Sequence, residues 1–223
     1  MHFTIASLAL FLGSTLATTP AIVPGSDVPS DPATAGYFVN HVGITVSNVT
    51  RSLDFYTQVF GFRHMFTFQA TSEFSITYLG HSSGGKNGTG FQTAEEMTRN
   101  KNNMAGQISL FHLNAAEEAQ VTRRESTNSF RLVIGIVVPD IEKAQERLEK
   151  YGAVVYKGIG QPMPEAGPLG SPYAFGDASD LSDEGWKAIK DVLTKTNEHN
   201  LFAGDPDGNL LEVLSADEMA LMD

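Results

Sequence analysis

The stretch HVGITVSNVTRSLDFYTQVFGF, residues 41–62, decides the fold. Its alternating β-branched opening predicts a strand over His41–Val46. Asn48 or Thr50 is placed to cap a helix from about Arg51 to Phe60. Leu53, Tyr56 and Phe60 recur at i, i+3 and i+7, with Phe55 and Val59 beside them, so one helical face is apolar. Gly61 stands where a left-handed residue ends a helix. A second stretch, VIGIVVPDIEKAQERLEKYGAVV at residues 133–155, has the same shape. Val42-Gly43-Ile44 matches Ile134-Gly135-Ile136 at an offset of 92 (134 − 42). The two copies differ at their heads: His41 in one, Val133 in the other.

Working outward, the first helix precedes strand patterns at Phe62–Gln69 and Phe74–His81. A long polar loop, Ser82–Gly106, leads to a fourth strand at Gln107–Leu113. The order is β-α-β-β-β. The second copy repeats it. Leu132–Val138 reads as a strand. Asp140 caps a helix carrying Ile141, Ala144 and Leu148, and Gly152 ends it. Ala153–Gly158 is the next strand, and Leu201–Ala216 gives two more around the turn Asp205-Pro206-Asp207-Gly208. An insertion at about 161–200 is Pro/Gly-rich first. It then holds a helix capped by Ser182, with Trp186, Ile189 and Leu193 on one face. The chain is thus expected to be α+β, with one module at 37–115 and a second at 116–223, sharing a core.

The first residues read differently. An uncharged apolar run from Phe3 to Leu16 is followed by small residues, with Thr15 and Ala17 suited to a signal peptidase. The expectation is a signal peptide at 1–17, an extended Pro/Ser/Thr-rich arm at 18–36, and a secreted protein. The run is short for a membrane span. Two glycosylation triplets agree with secretion, Asn48-Val49-Thr50 and Asn87-Gly88-Thr89. There are no cysteines, which excludes disulfides, thiolate catalysis and Cys-based metal sites. The net charge is −11. Residues 37–115 carry five basic and four acidic side chains, whereas residues 116–223 carry ten and twenty. That field argues against nucleic acid and anionic membranes as partners, and a solubilising surface explains it; the small-molecule substrate or ligand expected below comes from a family resemblance.

With DPDGNLLEVL at residues 205–214, the two copies resemble the vicinal oxygen chelate superfamily, and glyoxalase I most closely within it. The resemblance covers roughly His41 to Leu214. It implies that the paired βαβββ modules curl a mixed sheet around a central pocket, and that a homodimer is an option. It also implies a divalent metal (Zn, Ni, Mn or Fe) that chelates two neighbouring substrate oxygens, in lyase or isomerase chemistry. A Lewis acid placed where negative charge develops gives that chemistry its physical basis.

In the resemblance, the metal ligands come from the first and last strand of each module. Those positions hold His41, Ser109, Val133 and Glu212. His41 and Glu212 are the metal-ligand candidates, with Glu212 also the catalytic carboxylate. Ser109 and Val133 leave the set incomplete, which argues against lactoylglutathione lyase turnover. His112 would complete two histidines and a carboxylate, as in oxygen-activating iron sites. Strand parity sets it on the face opposite Ser109 and Phe111 unless a bulge intervenes. Three functions stay open: a glyoxalase-like metalloenzyme, a metal-independent binding protein of the bleomycin-resistance type, and a dioxygenase. The aromatic strands of the first module suit the second.

Overall fold

A computed structural model describes residues 24–85, 88–114, 133–164, 169 and 182–216, without the side chains of Trp186 and Thr196. The expected signal peptide, Asn87, the Leu132 strand start and much of the Pro/Gly-rich insertion lie outside the described residues. Each module contributes one four-stranded sheet. The first contains β1 (His41–Val46), β2 (Arg63–Gln69), β3 (Phe74–Gly80) and β4 (Gln107–Leu113), in the order β1-β4-β3-β2. The second contains β5 (Val133–Val138), β6 (Val154–Lys157), β7 (Leu201–Gly204) and β8 (Leu210–Ser215), in the order β5-β8-β7-β6. In both, the first strand runs parallel to the last and the other pairs are antiparallel.

The repeat read from sequence is also a repeat of register. Val42 pairs with Ile108 and Gly43 with Ser109; Ile134 pairs with Leu211 and Gly135 with Glu212. The helices follow their caps. Helix α1 (Val49–Phe60) begins at Asn48, whose side chain accepts from Arg51 N, and ends at Gly61 with φ 70°. Helix α3 (Ile141–Lys150) begins at Asp140, which accepts from Lys143 N.

The buried stripe of α1 is Ser52, Phe55, Tyr56 and Val59, displaced from the expected stripe because Leu53 and Phe60 are only half-buried. It joins Ile44, Val46, Leu79, Ile108 and Leu110 of the first sheet to Ile134, Leu201, Leu211 and Val213 of the second in one apolar cluster. The helix side of both sheets is therefore a shared core. At roughly 25 cal/mol per Å² of apolar surface removed from water, this cluster is the main attraction between the modules.

The loop expected at Ser82–Gly106 holds helix α2 (Ala94–Asn100) and a 3-10 turn at Lys101–Asn103. Thr93 and Glu96 form a reciprocal capping box. Met97 and Met104 pack with Met65, Phe66 and Tyr78, so this segment is seated on the first sheet. The insertion helix, α4 (Asp183–Thr196), starts at Ser182 as expected, with its hydroxyl accepting from Gly185 N. Among the described residues no helix is long and apolar enough to cross a membrane.

Candidate functional site

Alternation places the candidate residues. On β1, Ile44 and Val46 are buried in the shared core, while His41, Gly43 and Thr45 are exposed on the other face, here called the open face. Tyr78 pairs with Ser109 and belongs to the same face. The Tyr78 ring meets His41 edge-on, with centroids 5.4 Å apart, and stacks on Phe66 at 4.7 Å. Phe111 lies over Gly43, where an added Cβ would stand 2.4 Å from its ring. The open face of the first sheet is thus aromatic, with His41 at its edge.

Ser109 is fully buried under this layer, and its hydroxyl lies 3.5 Å from Val42 O. The ligand position it would occupy is closed to solvent. His112 pairs with Ser75 and Val46 on the core side, so no bulge turns it towards His41. Val133 is exposed on β5 and offers no donor.

The second sheet's open face is covered in part, with Val133 and Val137 of β5 exposed. Phe202 and Leu210 pack with Met163, Leu169, Tyr156 and Leu193, so the insertion supplies an apolar cover. Glu212, paired with Phe202 and Gly135, sits half-buried on that face. Its Oε1 accepts from Asn200 Nδ2 at 3.3 Å. Burial pushes the Glu212 pKa above the usual carboxylate value, and the Asn200 bond only partly opposes this. Asn200 is held in turn by the buried Lys157, whose Nζ donates to the carbonyls of Asn200, Gly158 and Glu198 at 2.8, 3.1 and 3.3 Å.

The doubled strand–helix pattern has an independent counterpart. Residues 38–213 match the family described as the Glyoxalase/Bleomycin resistance protein/Dioxygenase superfamily. The chain belongs to this superfamily. A lactoylglutathione lyase of Pseudomonas putida is 46% identical over 41 residues, which span 18% of this chain and 24% of that enzyme. The chain therefore matches only about a quarter of that relative's length. Among solved structures, the trypanothione-dependent glyoxalase I of Leishmania major aligns at 14% identity and TM-score 0.43, over 81% of this chain and 87% of that one. An antibiotic binding protein from Streptomyces aligns at 13% identity and TM-score 0.42, over 81% and 97%.

Members of the superfamily often use divalent metals, and the candidate donors of this member lie apart. His41 and Glu212 stand on different sheets, His112 faces the core, and Ser109 is sealed. Among the described residues no three His, Asp or Glu side chains gather where an ion would sit. The donor set does not fit a resident metal held by protein ligands in the number such sites use.

The turn Asp205-Pro206-Asp207-Gly208 offers two carboxylates that can bond to their own turn. Asp205 does this, with Oδ1 accepting from Asp207 N and Asn209 N at 2.9 and 2.8 Å. Asp205 Oδ2 also accepts from Tyr56 Oη of the other module at 2.9 Å, and Asp207 reaches that module too. Its Oδ1 accepts from Ser47 N at 3.0 Å, Ser47 Oγ at 2.5 Å and Arg51 Nη2 at 3.1 Å, and its Oδ2 from Ser52 Oγ at 3.1 Å. Burial pushes the Asp207 pKa up. The bonds from Ser47 and Ser52 and the Arg51 charge outweigh it and hold the carboxyl below its usual value.

Proposed function

We propose that this superfamily member binds a small aromatic or vicinal-oxygen compound on the open face of its first module, without a resident metal. The observation that supports this reading is the aromatic make-up of the first open face. The first presents His41 beside Tyr78 and Phe66, which also pack against Met97 and Met104, whereas the second carries the aliphatic cover of Met163, Leu169 and Leu193. Flat aromatic surface with few polar groups suits a planar ligand, since stacked and edge-on rings attract beyond the area they bury. Calorimetric titration with 4-nitrocatechol tests it. Binding that survives EDTA and weakens in His41→Ala supports the reading; binding that requires added Zn, Ni, Mn or Fe overturns it.

A metal-dependent lyase or isomerase of the glyoxalase type is the second reading, favoured by the short match to lactoylglutathione lyase. It assigns His41 and Glu212 as ligands and requires turnover of methylglyoxal with glutathione, together with metal retained through purification. We also propose export through the secretory pathway, on the apolar run Phe3–Leu16 and the triplet at Asn48. Appearance of the full-length product in the medium of a eukaryotic host, shortened at its N-terminus, is the check. Homodimerisation is a further expectation, which sedimentation reads directly.

A further inference from the structure

Two backbone carbonyls in the turn before β4 organise the edge of the open face. Asn40 Nδ2 donates to Lys101 O at 2.8 Å and to Met104 O at 2.9 Å. Gln107 Nε2 donates to the same two oxygens, at 2.7 Å each. The two amides thus converge on both acceptors, and Lys101 O also takes a longer bond from Met104 N at 3.4 Å. Turning either amide over would set its oxygen against two carbonyl oxygens. Gln107 shows how strongly the arrangement is held: its Oε1 is buried without a partner, and the amide still keeps its nitrogen on the carbonyls.

For Asn40 the consequence reaches His41. With Nδ2 committed, Oδ1 is the atom beside His41 Nδ1, at 3.0 Å. An amide oxygen only accepts, so Nδ1 carries the hydrogen. In a neutral imidazole the remaining nitrogen, Nε2, is then a bare lone pair. Among the described residues none hydrogen-bonds to it. His41 is exposed, with the Tyr78 ring edge-on beside it.

We propose that Asn40 is a positioning residue that holds His41 as its Nδ1–H tautomer, so that Nε2 accepts the hydroxyl proton of a compound bound on the open face. The ligand half rests on the reading under Proposed function; the tautomer half does not. The compound must then bring a donor, such as a phenol, catechol or enol hydroxyl, on a planar body that lies against Tyr78. An ether or ketone has no hydrogen to give Nε2. The bond shared with Nε2 also polarises the hydroxyl, which is the first requirement of proton abstraction.

The tautomer is read on the free protein by long-range 15N–1H correlation of the His41 ring at a pH where the ring is neutral. The expected spectrum is dominated by the Nδ1–H pattern, and Asn40→Ala moves it to the Nε2–H pattern while the His112 signals stay in place. A wild-type ring dominated by Nε2–H, or a pattern unmoved in Asn40→Ala, overturns the assignment. For the ligand half, 4-nitrocatechol is expected to bind Asn40→Ala about tenfold more weakly than wild type, the ordinary weight of one hydrogen bond. Its dimethyl ether is expected to bind both proteins equally. Equal loss for both compounds overturns the acceptor role. Failure of catechol to bind wild type overturns the function proposed above and leaves the tautomer measurement to decide on Asn40.

Discussion

Ser52, inside helix α1 of the first module, donates its hydroxyl at 3.1 Å to Asp207 Oδ2 in the turn between β7 and β8 of the second. This explains a buried serine at the N-terminal end of the helix's buried stripe. It also makes Asp207 the polar pin between the modules, with Ser47 and Arg51 on its other oxygen. Tyr56, one turn further along α1, adds a parallel link, its hydroxyl donating to Asp205 Oδ2 at 2.9 Å.

Removing the pin should loosen the joint. Asp207→Ala strands the Ser47 amide and the Ser52 hydroxyl, and is expected to cost about 3 kcal/mol, the usual scale for a broken buried polar network. Asp207→Asn retains one acceptor and should cost less. Urea unfolding monitored by the near-ultraviolet signal of the aromatic residues measures both. An Asp207→Ala protein as stable as wild type would remove the carboxylate from the joint.

The same group sets a pH dependence. The folded pKa of Asp207 lies below the unfolded value, so its contribution is present above the unfolded pKa, about 3.9, and is lost as pH falls through the folded pKa. Wild type is expected to lose stability below about pH 4 more steeply than Asp207→Asn. Parallel stability curves for the two proteins between neutral and acid pH would contradict this.

Glu212 carries the opposite sign. Its folded pKa is raised, so the ionised form is penalised by folding above the unfolded value near 4.3. Glu212→Gln keeps the acceptor for Asn200 and removes the penalty, so its melting temperature at neutral pH is expected to equal or exceed that of wild type. EDTA should leave both melting temperatures unchanged, since ligand removal destabilises only what the ligand stabilised. A fall on EDTA treatment that Glu212→Gln abolishes would establish Glu212 as a metal ligand.

The paired glycines Gly43 and Gly135 should respond differently to one substitution. A Cβ at Gly135 meets Leu214 Cδ1 at 3.7 Å, an ordinary contact, whereas at Gly43 it meets the Phe111 ring at 2.4 Å. Gly135→Ala is expected to be neutral or stabilising by up to about 1 kcal/mol through the unfolded chain. Gly43→Ala is expected to destabilise by about 1–3 kcal/mol as Phe111 is displaced. Denaturant midpoints of the two variants give the comparison, and a shifted Phe111 signal locates the strain.

Much of the fold was legible because it is written in local periodicity. Alternation in HVGITV and VIGIVV marked two equivalent strands; Asp140 marked one helix start, and Asn48 or Thr50 the other, of which the fold uses Asn48. Helix α2 was missed inside a polar loop although Thr93-Ala94-Glu95-Glu96 carries the capping-box spacing, because its seven residues hold a single buried side chain, Met97. In the candidate site, parity sufficed to set His112 away from His41. Asn40 carried no signal: its effect depends on two carbonyls more than sixty residues away.

The sequence by itself determined the doubled βαβββ architecture, which follows from residue types at fixed short spacings, while the set His41, Ser109, Val133 and Glu212 was what its resemblance to the superfamily implied. Only the tertiary structure decided that Asp207 joins the modules, that the insertion packs on the second sheet while helix α2 packs on the first, and that Asn40 stands against His41. Those outcomes rest on hydrogen bonds and packing between segments far apart in the chain, where direction and distance, and not residue type, set the chemistry.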